Sequence, residues 1–182
     1  MVELDRATVD RKLALLLGYV GELRPLVGIS GPAVGGNVVR RAIERLVQLV
    51  VEVAIDVNHL LAVGAGQAPP ASGRESFDTV ERCGAVPPDL VRRFKASYVG
   101  LRNRIVHEYE LLDHVLVLRA ARRLVSDGPA YAAAVRAHLS RSGGGASEAR
   151  EPRVRYRKGS SQHSALSAQP GQGRVRPGSG RS

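Results

Sequence analysis

The chain of 182 residues holds a single cysteine, Cys83. One cysteine excludes an intramolecular disulfide, and without a Cys/His cluster there is no zinc-binding spacing. Cys83 precedes Gly84 and has no neighbouring histidine, so a nucleophilic role is not expected of it. An uninterrupted apolar run is also missing: residues 46–63 are broken by Gln48, Glu52, Asp56, Asn58 and His59, which argues against a membrane span. Met1–Arg6 lack a basic stretch followed by an apolar one, so no secretory leader is expected. A soluble, cytoplasmic protein with no membrane partner is the reading these absences leave. Period-two alternation and internal repeats are absent too. The glycine pairs Gly35-Gly36 and Gly64-x-Gly66 follow no strand, so they read as helix punctuation rather than phosphate loops.

Charge of one sign is in excess, but unevenly. The net charge is +10, of which residues 141–182, with nine Arg or Lys and two acids, carry +7 and residues 1–140 only +3. From Ser142 onward Gly, Ser, Arg, Gln and Pro dominate, and apolar residues are too sparse to offset the entropy of ordering. The expected organisation is a helical domain over 1–140 and a disordered basic tail over 141–182. Apart from Tyr156 the tail has no aromatics to stack on bases. Its Arg150–Lys158 cluster offers salt-sensitive attraction to polyanions without sequence choice.

Within the domain, Val9, Leu13, Leu16, Leu17, Val20 and Leu23 recur at helical spacing and predict a helix over 5–24, stopping near Pro25. A glycine-rich loop follows, with Asn37 as the expected cap of a second helix over 38–63. That helix carries a broad apolar face from Ile43 to Leu61. A short helix is expected over 74–82, closed by Gly84. Pro87-Pro88-Asp89 opens the next, with proline in the first turn and Leu90, Phe94, Val99, Leu101, Ile105 and Val106 as core candidates. Asp113 reads as the cap of a further helix, which Ser126-Asp127-Gly128-Pro129 is expected to break before a last turn or two holding Tyr131, Ala134, Val135 and Leu139. The fold class is all-α, an up-and-down bundle of four to five helices.

The chemistry concentrates in Leu101–Tyr109. Arginine binds phosphate, and histidine moves protons near neutral pH. Arg102 and His107 lie about 140° apart on an ideal helix. Asn103 and Arg104, at i−4 and i−3 from His107, are its closer neighbours. A phosphate can be held by Arg102 or Arg104, oriented by Asn103, and served by His107 as acid or base. A second group, Glu52, Asp56 and His59, shares one helical stripe. It offers Asp56-x-x-His59 but no second Glu-x-x-His for a two-metal bundle site, and Glu110-x-x-x-His114 has the wrong spacing. Metal is therefore not expected. A polar flank pairing with arginines, or a place for Asp56 or His59 in a dimer cleft near His107, are the other readings of that stripe.

Arg102-Asn103-x-x-Val106-His107-x-Tyr109 resembles the Arg-x4-His-x-Tyr signature of HepT toxins, a family within the HEPN superfamily. The polar pattern from Glu44 to His59 resembles the family's long second helix, and Phe77–Leu90 the segment before its catalytic helix. The resemblance covers roughly 5–138. It implies a HEPN-like bundle acting as a homodimeric, metal-independent endoribonuclease toxin without cofactor, with its cleft on the dimer interface. Arg102 and His107 would be catalytic, Asn103 and Arg104 supporting. It further implies a partner antitoxin, a minimal nucleotidyltransferase (MntA-like), that transfers AMP onto the Tyr109 hydroxyl. The alternative is a non-catalytic HEPN module that binds nucleotide, RNA or that partner.

Overall fold

The computed structural model describes residues 4–28, 36–107 and 112–144. Six α-helices account for most of them: α1 (Arg6–Gly28), α2 (Asn37–Gly64), α3 (Gly73–Arg82), α4 (Pro88–Arg93), α5 (Gly100–His107) and α6 (His114–Gly144). A π-helical turn, Phe94–Val99, joins α4 to α5. No strand occurs among the described residues, so the all-α expectation holds.

α2 is the central element and packs on α1, α3, α5 and α6. By length and composition it resembles a membrane span, yet over half of its most apolar stretch is buried inside the fold. Val47, Val50, Val51, Ala54 and Val57 are fully buried there. α1 contributes Val9, Leu13, Leu16, Val20 and Leu23 at the predicted spacing. A second knot of the core is aromatic: the Phe94 ring lies 4.9 Å from Phe77, 5.0 Å from Tyr98 and 5.4 Å from Tyr131, which ties α3, the π turn and α6 together.

Two prolines do not end helices as the sequence led one to expect. α1 runs through Pro25 to Gly28, because Leu26 and Val27 pack on the core and the Val27 carbonyl accepts from Arg122 Nε at 3.3 Å. α6 is one helix through Ser126-Asp127-Gly128-Pro129. An interior proline costs about 3 kcal/mol, and burial of Tyr131, Ala132 and Val135 beyond it is of the scale to offset that. Asp127 and Gly128 are also held in place. Asp127 accepts from Tyr98 Oη at 2.6 Å and Arg93 Nε at 3.1 Å. Gly128 lies so close to α1 that a Cβ there would stand 2.8 Å from Val20 Cγ2. The boundary expected at 140/141 falls inside the last turns of α6, and the tail from 145 onward lies outside the described residues.

The caps divide similarly. Gly36, not Asn37, occupies the cap position of α2, and Asn37 is its first helical residue. Asp113 does cap α6, accepting from Val115 N at 2.8 Å, and Pro88 sits in the first turn of α4. Ser72 caps α3 through Glu75 N at 3.1 Å, while Glu75 reaches back to Ala71 N at 2.8 Å. This is a variant of the Ser-x-x-Glu capping box, with the returning carboxylate on the N–H one residue before the cap.

Candidate active site

α5 is attached to the core by Leu101, which is buried, and by Ile105, half-buried one turn later. Val106, expected in the core, is 38 % exposed. The preceding π turn inserts an additional residue per turn and so resets the face that α5 offers to α2. That turn buries Phe94, Tyr98 and Val99.

With Leu101 facing inward, Arg102 flanks it on the α2 side. Its Nη2 donates to Glu52 Oε1 at 2.9 Å, and its Nη1 approaches Asn103 Oδ1 at 3.3 Å. Gln48 Nε2 donates to the same Glu52 oxygen at 2.9 Å. About a third or less of either charged side chain is exposed, so the ion pair is only partly screened by water. Arg102 Nε is buried with no hydrogen-bond partner, an unmet donor in a guanidinium otherwise fixed from two sides. Asn103 therefore acts here as a neighbour of Arg102.

Arg104 faces the other way, toward α6, in an open groove of about 220 Å³ shared with Leu116, Arg119 and Arg123. His107 is the last described residue of α5 and is exposed. The structure thus brings Arg102, Asn103 and His107 onto one short helix but directs Arg102 to Glu52, which agrees with the wide angle between positions 102 and 107. Tyr109 lies outside the described residues, as do Glu108, Glu110 and Leu111.

The Glu52, Asp56, His59 stripe is divided among different partners. Glu52 meets Arg102, Asp56 accepts from Lys12 Nζ at 2.7 Å, and His59 keeps a buried Nε2 without a partner. Among the described residues, no three His, Cys, Asp or Glu side chains converge as a metal site requires. The reading of Glu52 as a polar flank pairing with an arginine is the one the geometry bears out. Sequence inspection missed a further pair: His114 Nδ1 lies 2.8 Å from Glu44 Oε1, beside a cleft of about 170 Å³ lined by Arg40, Ile43, Val115 and Leu118. No local spacing signals it, because the two residues lie on different helices, Glu44 two turns into α2 and His114 at the start of α6.

Comparison with known proteins bears on the family and the fold. The family model described as "Ribonuclease HepT-like" matches residues 17–135. A "tRNA nuclease HepT" of Aphanizomenon flos-aquae (strain 2012/KM1/D3) is 28 % identical over 142 residues, covering 76 % of this chain and 95 % of the relative. Among solved structures, the cytosolic protein YutE of Bacillus subtilis, of unknown function, superposes with a TM-score of 0.67 at 16 % identity, over 78 % of this chain and 95 % of its own. A tri-AMPylated Shewanella oneidensis HEPN toxin, in complex with an MNT antitoxin, superposes with a TM-score of 0.65 at 20 % identity, over 71 % of this chain and 96 % of its own.

Proposed function

The chain belongs to the HepT-like ribonuclease family, and from that membership we propose that it is a metal-independent endoribonuclease toxin, working as a homodimer and silenced by a minimal nucleotidyltransferase antitoxin through AMP transfer onto Tyr109. The observation that carries the reading is the fixed guanidinium of Arg102 on the same two-turn helix as the exposed imidazole of His107. A cation for phosphate and a proton carrier are what cleavage at a ribose 2′-hydroxyl needs. Glu52, the carboxylate paired with Arg102, also accepts from Gln48.

The proposed reaction is transesterification. One imidazole takes the 2′-hydroxyl proton as the O2′–P bond forms. A second gives a proton to O5′ as the P–O5′ bond breaks, leaving a 2′,3′-cyclic phosphate. Arg102 stabilises the charge on the pentacoordinate phosphorus, which requires it to turn donors toward the phosphate. One chain has a single His107, so two copies in a homodimer divide the acid and base roles. Asn103 steadies Arg102, and Arg104 adds positive charge on the α6 side. The test is His107→Ala: RNA cleavage in excess chelator disappears while the dimer remains, and persistent cleavage would falsify the mechanism. A chelator-sensitive wild type would count equally against it.

A further inference from the structure

Arg119, Arg122 and Arg123 stand on α6 at i, i+3 and i+4, and all three are exposed. Residues at those spacings share one helical stripe, and Arg119 and Arg123 are separated by about 6 Å of helical rise. Across from them, Arg104 extends from α5. Arg104, Arg119 and Arg123 rim the groove of about 220 Å³, whose floor includes Ser97, Leu101 and Leu116. A second depression on the same face of α6 is bounded by Arg119, Arg122 and Arg123. Among the described residues no carboxylate lies within ion-pair distance of any of these four arginines. Arg122 alone is partly engaged, at the Val27 carbonyl.

Arg40, Arg41 and Arg45 on α2 also lack a carboxylate partner among the described residues, but the α6 arginines differ in standing together around a groove. Elsewhere Arg93, Lys12, Lys95, Arg102 and Arg136 all face carboxylates. Arg104, which lines the groove, lies one turn before His107 on α5. The chemistry of the groove is therefore a cationic rim over a partly apolar floor.

We propose that the groove rimmed by Arg104, Arg119 and Arg123 is a track for the phosphates of single-stranded RNA, guiding the strand to His107. The inference rests on the ribonuclease reading for its direction, and extends it from the scissile bond to the flanking nucleotides. A polyanion gains affinity here by counterion release without base selection. The arginines also present planar, bidentate donors suited to phosphate oxygens. The floor has no aromatic residue, so stacking contributes little and the track is tolerant of sequence.

The test uses the full chain carrying His107→Ala, so that no substrate is consumed, and a fluorescent RNA strand of about 16 nucleotides. Arg119→Gln with Arg123→Gln should weaken binding about tenfold at moderate salt, and lower the slope of log affinity against log salt by about 1.4, two contacts' worth for a single strand. Arg119→Lys with Arg123→Lys should recover most of both, which a merely structural role for these side chains would not produce. In the active chain, the glutamine pair should raise KM for a long RNA and leave turnover of a dinucleotide unchanged. Unaltered strand affinity and salt slope in the folded glutamine variant would overturn the track, and so would an equal loss on dinucleotide and long RNA. Unchanged RNA binding with loss only of a complex with an acidic protein would assign the groove to that partner and overturn it as well. A wild-type chain that fails to cut RNA would instead sink the ribonuclease reading, and strand affinity would still judge the groove.

Discussion

Glu52 Oε1 accepts a hydrogen bond from Arg102 Nη2 at 2.9 Å across the α2–α5 contact, between residues 50 positions apart in the chain. The pair fixes a guanidinium that the proposed chemistry uses. Removing the carboxylate should disorder Arg102 more than it harms the fold. Glu52→Ala is expected to lower RNA cleavage about tenfold to a hundredfold, the scale of a misplaced catalytic group, while stability falls by no more than about 1 kcal/mol. Glu52→Gln keeps an acceptor and should lose less. Steady-state cleavage beside thermal melts checks both, and a Glu52→Ala enzyme with full activity would remove the positioning role.

His107 is exposed at the end of α5, so its replacement has little packing to lose. His107→Ala should leave stability within about 0.5 kcal/mol and abolish cleavage. If two imidazoles share one reaction, dimers containing one wild-type and one His107→Ala protomer should fall far below half activity. Co-expression with two affinity tags isolates such mixed dimers. Half activity from them would mean that each protomer works alone.

The helices were legible where periodicity and burial coincide, as in Val9 to Leu23 on α1 and Ile43 to Leu61 on α2. Local chemistry misled at Pro25 and Pro129, because tertiary packing of Leu26, Val27, Tyr131 and Val135 holds the helices past their own breakers. The π turn had no sequence signature at all. Its cause is the joint burial of Phe94 and Tyr98 against Phe77 and Tyr131. At the site, the motif residues were legible because they are contiguous. The Glu52 partner of Arg102 was visible only as one member of a polar stripe, since spacing along one helix does not reveal what the next helix brings.

Tyr98 offers a stability prediction from the same π turn. Its hydroxyl donates to Asp127 Oδ2 at 2.6 Å, and burial, followed by that hydrogen bond to Asp127, pushes its pKa well above the usual phenol range. It is thus a neutral donor throughout the accessible pH range. Tyr98→Phe leaves Asp127, nearly buried, with only Arg93 beside it. A loss of about 1–2 kcal/mol is expected, read as a fall of several degrees in Tm. An unchanged Tm would show that Arg93 alone satisfies the carboxylate.

At the start of α1, Asp5 accepts from the Thr8 hydroxyl and from Thr8 N at 2.9 Å. The Thr8 side-chain hydrogen bond, then the backbone one, hold its carboxyl below the usual aspartate value. A carboxyl depressed in the folded state stabilises above its unfolded pKa, and that contribution disappears as pH falls through the folded pKa. Asp5→Ala should therefore be less stable than the wild type at neutral pH, and the two should converge as the pH drops below about 4. Denaturant melts at stepped pH check this, and a gap that persists in strong acid would assign the effect to something other than the ionised cap.

Tyr109 follows α5 by two residues, close in sequence to His107, the proposed proton carrier, and lies outside the described residues. A phosphate-bearing group on its hydroxyl would place negative charge beside a segment containing Arg102 and Arg104 and obstruct a strand arriving at His107. Incubation with ATP and a minimal nucleotidyltransferase should raise the intact mass by whole AMP units and suppress RNA cleavage in parallel. Tyr109→Phe removes the acceptor oxygen while keeping the ring, so it should cut RNA without the partner, gain no mass, and resist silencing. A Tyr109→Phe chain that still gains AMP would place the modified hydroxyl elsewhere. One that gains none but is silenced all the same would make inhibition a matter of complex formation alone.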